Sequence, residues 1–250
     1  MTEQIVKKLN ESEITLIEKF KAHPVFVNIE LIPWNDFLQI LIQRRFLSLS
    51  IVNIYELVID SLTDETIKKT VRSILNDEYP RDAKGIPLLS HRELLFQDLL
   101  NLGATREMIL TTPETFFTTT IKEKSYQLIT DYLSDKSGQI GILTFLRFWA
   151  EVLVSIEYEC LWKRISERLS DGKLYGKIRS EFYYFHMLHD ARNTDVGKEG
   201  LLGGLTHSQE LAIHLQRSIW SEDDLLYCIE IEKSAYKFKY QFYDQFIAIK

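Results

Sequence analysis

Apolar residues recur at intervals of three and four along most of the chain, the spacing of helices with one buried face. Ile5, Leu9, Ile14, Leu16, Ile17 and Phe20 predict an amphipathic helix over residues 2–22, ending near Pro24. Residues 25–32 are apolar and β-branched without that period, and are expected to form a packed, extended connection. Pro33 suits the first position of the next helix. From Trp34 to Ser61 the pattern Phe37, Leu38, Leu41, Ile42, Ile51, Ile54, Leu57, Val58 predicts one long helix, buried over much of its length.

A third helix is predicted over 64–78, with Thr63 as its N-cap and Asp64 and Glu65 in its first turn. Its inward stripe runs Ile67, Val71, Ile74, and then a carboxylate, Glu78, takes the next inward position. Pro80, Gly85 and Pro87 make residues 79–89 a loop. Ser90 caps a helix over 91–102, with His91 at its first position and Gly103 closing it. Further helices are expected over 113–134, 140–169, 174–192, 206–219 and 221–248. The fourth of these opens on a capping-box pattern, Thr206 with Gln209, and the fifth on Ser221. Five prolines and ten glycines in 250 residues leave few turns, so the elements are long. The expected fold is all-α, about nine helices in one domain over residues 1–250.

Composition narrows the classes of function. The chain is 45% hydrophobic and 26% charged, ordinary for a folded globular protein. Its net charge is −6 with dispersed basic residues, which argues against nucleic acid and against a membrane-binding basic face. The N-terminal Met1-Thr-Glu-Gln-Ile-Val-Lys-Lys has no apolar signal-peptide core, and no apolar run reaches the ~20 residues of a membrane span. Cys160 and Cys228 have no metal or redox spacing and read as reduced, buried thiols. A cytoplasmic location is the expectation.

Chemistry concentrates on Glu181-Phe-Tyr-Tyr-Phe-His-Met-Leu-His-Asp-Ala-Arg192. There His186 and Asp190 lie one helical turn apart on one face, with Phe182 and Tyr183 a turn behind them. In the long helix before it, the stripe Ala150, Leu153, Val154, Glu157, Cys160, Leu161, Ile165 places Glu157 amid apolar residues, whereas Glu151 and Glu159 fall on less apolar faces. A buried carboxylate needs a cation, and a lone glutamate on such a stripe is commonly salt-bridged. Glu78 and Glu157 together with His91, His186 and His207 also make a set of oxygen and nitrogen donors without thiolate, which suits iron or manganese better than structural zinc. His23, His189 and His214 read as structural or surface residues.

The order Asn76-Asp-Glu78, His91-Arg-Glu-Leu, Ser155-Ile-Glu157, His186-x-x-x-Asp190 and a later histidine resembles the haem-oxygenase-like di-iron oxidases, above all the CADD-like proteins. The Glu-x-x-His pattern of ferritin-like bundles is absent. The resemblance covers most of the chain and includes the C-terminal helix, Ile231 to Phe246. It implies a haem-oxygenase-like multi-helix bundle in which Glu78, His91, Glu157, His186 and Asp190 ligate two iron ions, with manganese as the alternative metal. The spacing between Glu78 and His91 is longer than in that family, and Asn193 stands where its last histidine would be. Either Asn193 takes that position poorly, or the glycine-rich stretch 193–205 is an insertion and His207 is the displaced sixth ligand. His207-Ser-Gln-Glu-Leu-Ala resembles the residues at and beyond the family's last histidine, which favours His207.

The implied activity is oxidation or oxygenation of a small organic substrate, amphiphilic or aromatic, with dioxygen. Phe182, Tyr183 and Cys160 would line or back the substrate pocket. Para-aminobenzoate-forming members carry a tyrosine in the first connection between helices, where this chain has Phe26, so that reaction is not expected. Homodimerisation is an open expectation. Two alternatives stand beside the oxidase: a metal-free ligand-binding or interaction protein of the same fold, and a TenA-like hydrolase with Cys160 as nucleophile. PqqC, a quinone-cofactor synthase, has the same fold and no metal, so fold alone does not decide.

Overall fold

The computed structural model describes residues 2–134, 138–171, 177–178, 180–190 and 205–247. Twelve α-helices are present among them: α1 (Thr2–Lys21), α2 (Pro24–Val27), α3 (Trp34–Ser61), α4 (Glu65–Asp77), α5 (His91–Asn101), α6 (Arg106–Thr111), α7 (Phe116–Ser134), α8 (Gly138–Phe145), α9 (Leu153–Leu169), α10 (Tyr183–His189), α11 (His207–Ser218) and α12 (Glu222–Asp244). A π-helical segment, Leu146–Val152, joins α8 to α9 into one continuous rod. The β structure among the described residues is a two-residue antiparallel ladder, β1 (Ser170–Asp171) with β2 (Lys177–Ile178), and an isolated bridge between Arg81 and Pro87.

The rod is the strut of the bundle. Helices α7, α11 and α12 pack on its first half, and α1 and α10 on its second. It is apolar for a local reason and charged for a global one. Every residue from Leu146 to Tyr158 is buried, yet Arg147 among them holds Glu13 of α1 and lies 4.0 Å from Glu232 of α12. Two helices, Trp34–Ser61 and the 139–169 run, are long and apolar enough to cross a membrane by composition. In the bundle their apolar stretches are 61% and 89% buried, as core helices are.

Several expected boundaries move. Residues 24–31 are helical rather than extended, because Pro24 sits at a first helical position and the His23 ring accepts from Val25 N. Asp64, not Thr63, caps α4, its carboxylate accepting from Thr66 N and Ile67 N. The segment expected to begin at 113 begins at Phe116, after the separate α6. The helix expected over 174–192 starts only at Tyr183, since the β1–β2 pairing uses part of that stretch. Gly103 closes α5 with φ +100°, a conformation a side chain would strain.

Candidate metal centre

Six acidic and imidazole side chains from five elements meet at one cavity of about 180 Å³. They form two triplets, Glu78–His91–His186 and Glu151–Asp190–His207. Within each triplet one possible ligand atom per residue lies within 4.8 Å of the others.

The first triplet is assembled by a loop closing on itself. Between α4 and α5, Asp82 N donates to Ile86 O (2.9 Å), Leu88 N to Pro80 O (2.9 Å) and His91 N to Glu78 O (3.2 Å). The long spacing between Glu78 and His91 is thereby taken up by a small hairpin, and the two side chains still meet. His91 Nδ1 lies 3.2 Å from Glu78 Oε1, but without the alignment of a hydrogen bond. His186 Nδ1 is 2.8 Å from Phe182 O. A carbonyl only accepts, so in the neutral ring the proton is on Nδ1 and the lone pair on Nε2. The His91 and His186 rings are 4.5 Å apart.

Helix α10 is held in place by partners distant in sequence. Buried Asp98 of α5 accepts from Ser180 Oγ (2.6 Å), Phe182 N (3.1 Å) and Tyr183 N (3.3 Å), so a carboxylate from another helix caps its first turn. Ser155 Oγ of α9 donates to Met187 O (2.9 Å). At the far end Ser208 N donates to Asp190 O (3.1 Å), which brings the start of α11 back against the end of α10. His207 thereby joins Asp190 despite the long sequence between them. Asn193, the other candidate for the sixth position, lies outside the described residues.

The second triplet is short of positive charge. Tyr55 OH donates to Glu151 Oε1, and Glu151 Oε2 lies 3.3 Å from His207 Nδ1. His207 Nε2 lies 2.8 Å from Asp77 Oδ2. Burial and the charge of Glu151 push the Asp190 carboxyl well above the usual carboxylate range. Burial lowers the His207 pKa, but Glu151, Asp77 and Asp190 outweigh it and push it up to about 11. The protonated imidazole thus serves as counter-ion to the carboxylates. A divalent cation fits the same place, with His207 then neutral and ligating through Nδ1 while Asp77 holds Nε2. The first triplet fits a cation equally: an imidazole nitrogen and a carboxylate oxygen converge there without bonding each other.

Of the predicted site residues, Glu78, His91, His186, Asp190 and His207 are brought together. Glu157 is not. It is buried away from both triplets, 2.7 Å from Arg44 Nε and 2.8 Å from Lys239 Nζ, and accepts from Tyr243 OH (2.5 Å). Glu151 stands in its place. The reason is local: the i→i+5 turns of the π segment are wider than α turns and rotate Glu151 away from the face an unbroken α count assigns it. From Leu146 to Tyr158 the rod is also buried all round, so the apolar stripe that points to Glu157 does not mark the side facing the cavity. Phe182 lines the cavity. Tyr183 is buried behind it, 5.4 Å from the Phe182 ring. Cys160 is not among the residues lining the cavity, and burial pushes its thiol up to about 12, away from the thiolate form a nucleophile needs.

The residues that sequence reasoning missed are Glu151, Tyr55, Asp77, Asp98 and two cavity-lining cations, Arg44 and Lys239. Lys239 carried a signal: it follows Ile231 and Ala235 at helical spacing, as Glu78 follows Ile74. Asp98 carried a similar one beside buried Leu95 and Leu99. His23 and His214 are structural, bonded to Asp244 and Thr70.

No family model and no curated protein sequence matches the chain. Solved structures do. Two crystal structures, at 2.00 and 1.35 Å resolution, of a CADD-like protein of unknown function from Nostoc punctiforme superpose with TM-scores of 0.70 and 0.65. Sequence identities are 14% and 13%; the matches cover 100% and 98% of this chain and 99% and 94% of the other. The helical architecture that brings the two triplets together is therefore the all-α, haem-oxygenase-like fold of the CADD-like proteins.

Proposed function

We propose that the protein is an oxygen-activating di-iron oxidase or oxygenase acting on a small organic substrate. The observation that carries this reading is the pair of buried carboxylate–imidazole triplets sharing one cavity. Three carboxylates and three imidazoles without thiolate suit iron, with manganese the nearest alternative. Glu78, His91 and His186 would hold one ion, and Glu151, Asp190 and His207 the other. Two ferrous ions bound there would supply the electrons and Lewis acidity that reduction of dioxygen requires.

The chain's own part is to orient and to exclude water. Phe182 O fixes the His186 tautomer, Asp77 fixes His207, and Tyr55 holds one oxygen of Glu151. Such partners set ligand direction and basicity. Trp149, Tyr158 and Phe182 give one wall of the cavity an aromatic lining that limits the room for water beside the substrate. One observation favours a metal-free ligand-binding protein instead: His207 lies between two carboxylates, 2.8 Å from Asp77 and 3.3 Å from Glu151, so that as an imidazolium it would balance part of their charge without a metal. Iron content after anaerobic Fe(II) loading and desalting separates the two. The oxidase reading expects two ions per chain and dioxygen consumption on exposure to air; no retained iron sinks it.

A further inference from the structure

We infer that the substrate of this cavity is an organic carboxylate, a monoanion whose charged group is seated on Arg44 and Lys239 while its apolar body extends toward the metal triplets. The inference rests on reading the cavity as the substrate site.

Arg44 and Lys239, 3% and 1% exposed, come from α3 and α12 and line the same cavity as both triplets. Between them they have one acidic partner, Glu157, whose oxygens are already shared by Arg44 Nε, Lys239 Nζ and Tyr243 OH. Two cations against one carboxylate leave one positive charge in a buried site. Burying a charge without a partner is costly, so the site is built for an anion. Arg44 Nη1 donates to Ser48 Oγ (2.8 Å), and the remaining guanidinium N–H groups have no protein acceptor among the described residues. The other acidic groups of the lining, Glu78, Glu151 and Asp190, are grouped with the histidines. Asp190 and Lys239 line the same cavity, which joins the cationic pair to the second triplet.

The planar guanidinium suits a carboxylate, and the Tyr158 ring lies under it at 5.0 Å to the ring centre. Leu47, Ile51 and Val154 supply apolar wall beside it. A cavity of about this size accepts a single aromatic ring, as an engineered one of ~150 Å³ accepts benzene. A monoanion neutralises the cluster; a dianionic phosphate would leave an excess negative charge buried. An amine would meet two cations.

The test is calorimetric titration of the chelator-stripped and the iron-loaded protein with benzoate, benzamide and phenyl phosphate. Benzoate is expected to bind at least tenfold tighter than benzamide in both forms, and Arg44→Gln to abolish that preference. If circular dichroism shows that Arg44→Gln is unfolded, Lys239→Met serves in its place. Equal binding of benzoate and benzamide, or no measurable benzoate binding, overturns the inference. So does a preference seen only with iron, which would put the carboxylate on the metal. Tighter binding of phenyl phosphate overturns the monoanion assignment. A preference that persists in protein unable to retain iron sinks the oxidase reading and leaves this one standing.

Discussion

Glu157 and Glu151, six positions apart on one buried rod, should fail in opposite ways when replaced. Glu157 is the fully buried acidic partner of Arg44 and Lys239. Removing one side of a buried ion pair costs roughly 3–5 kcal/mol, against a typical domain stability of about 5–15 kcal/mol. For a chain of this length each kcal/mol moves the melting temperature by about 2–4 °C, so Glu157→Ala is expected to lower it by roughly 6–20 °C. Burial has already lowered the Lys239 pKa to about 8, so this lysine can shed its proton and hold the loss near the lower end. Arg44 cannot do the same. Glu157→Gln keeps the shape and should lose less.

Glu151→Ala removes a carboxylate from a crowded acidic triplet, which relieves the repulsion on Asp190. The metal-free protein should therefore melt within a few degrees of wild type, while iron falls from two ions to one per chain. Thermal melts of stripped protein and colorimetric iron counts of loaded protein read the two effects separately. Folded Glu157→Gln protein that loses an ion, or Glu151→Ala protein that keeps both, would falsify the assignment.

Asp98→Ala strips the first turn of α10 of its carboxylate acceptor and should cost about 1–3 kcal/mol by urea unfolding, with weaker iron retention; Asp98→Asn should recover part of both. Glu232 is buried beside Glu13, and burial followed by that neighbour's charge raises its carboxyl well above the usual range. A carboxyl with a raised folded pKa weakens folding once pH exceeds its unfolded value, so Glu232→Gln should raise the melting temperature at pH 7 and leave it unchanged below about pH 4. Burial pushes the thiols of Cys160 and Cys228 from 9.0 to about 12. Between these values the folded state holds protons that the unfolded state has lost, so stability should fall with rising pH by about 1.4 kcal/mol per unit per thiol. Cys160→Ala should flatten that slope in denaturation curves from pH 9 to 11, and an unchanged slope would contradict it.

The amphipathic spacing of the chain by itself determined that the fold is a bundle of long helices. It also exposed every ligand candidate that breaks a helix pattern or sits at a helix end. Glu78 ends the stripe Ile67, Val71, Ile74; His91 and His207 each open a capped helix; His186 and Asp190 share a face. A polar residue at such a point is visible because its apolar neighbours define an inside. What the spacing does not determine is orientation within an element buried on every side. Along the rod from Gly138 to Leu169 the apolar stripe points to Glu157 and leaves Glu151 on a less apolar face, and only the wider π turns together with the helices packed around them bring Glu151 to the cavity instead. Asp98 capping α10 from another helix, Asp77 behind His207, and Arg44 with Lys239 on Glu157 are likewise contacts across the bundle. Their partners are distant in sequence, and local patterning carries the direction of a side chain but not the identity of the group it will meet.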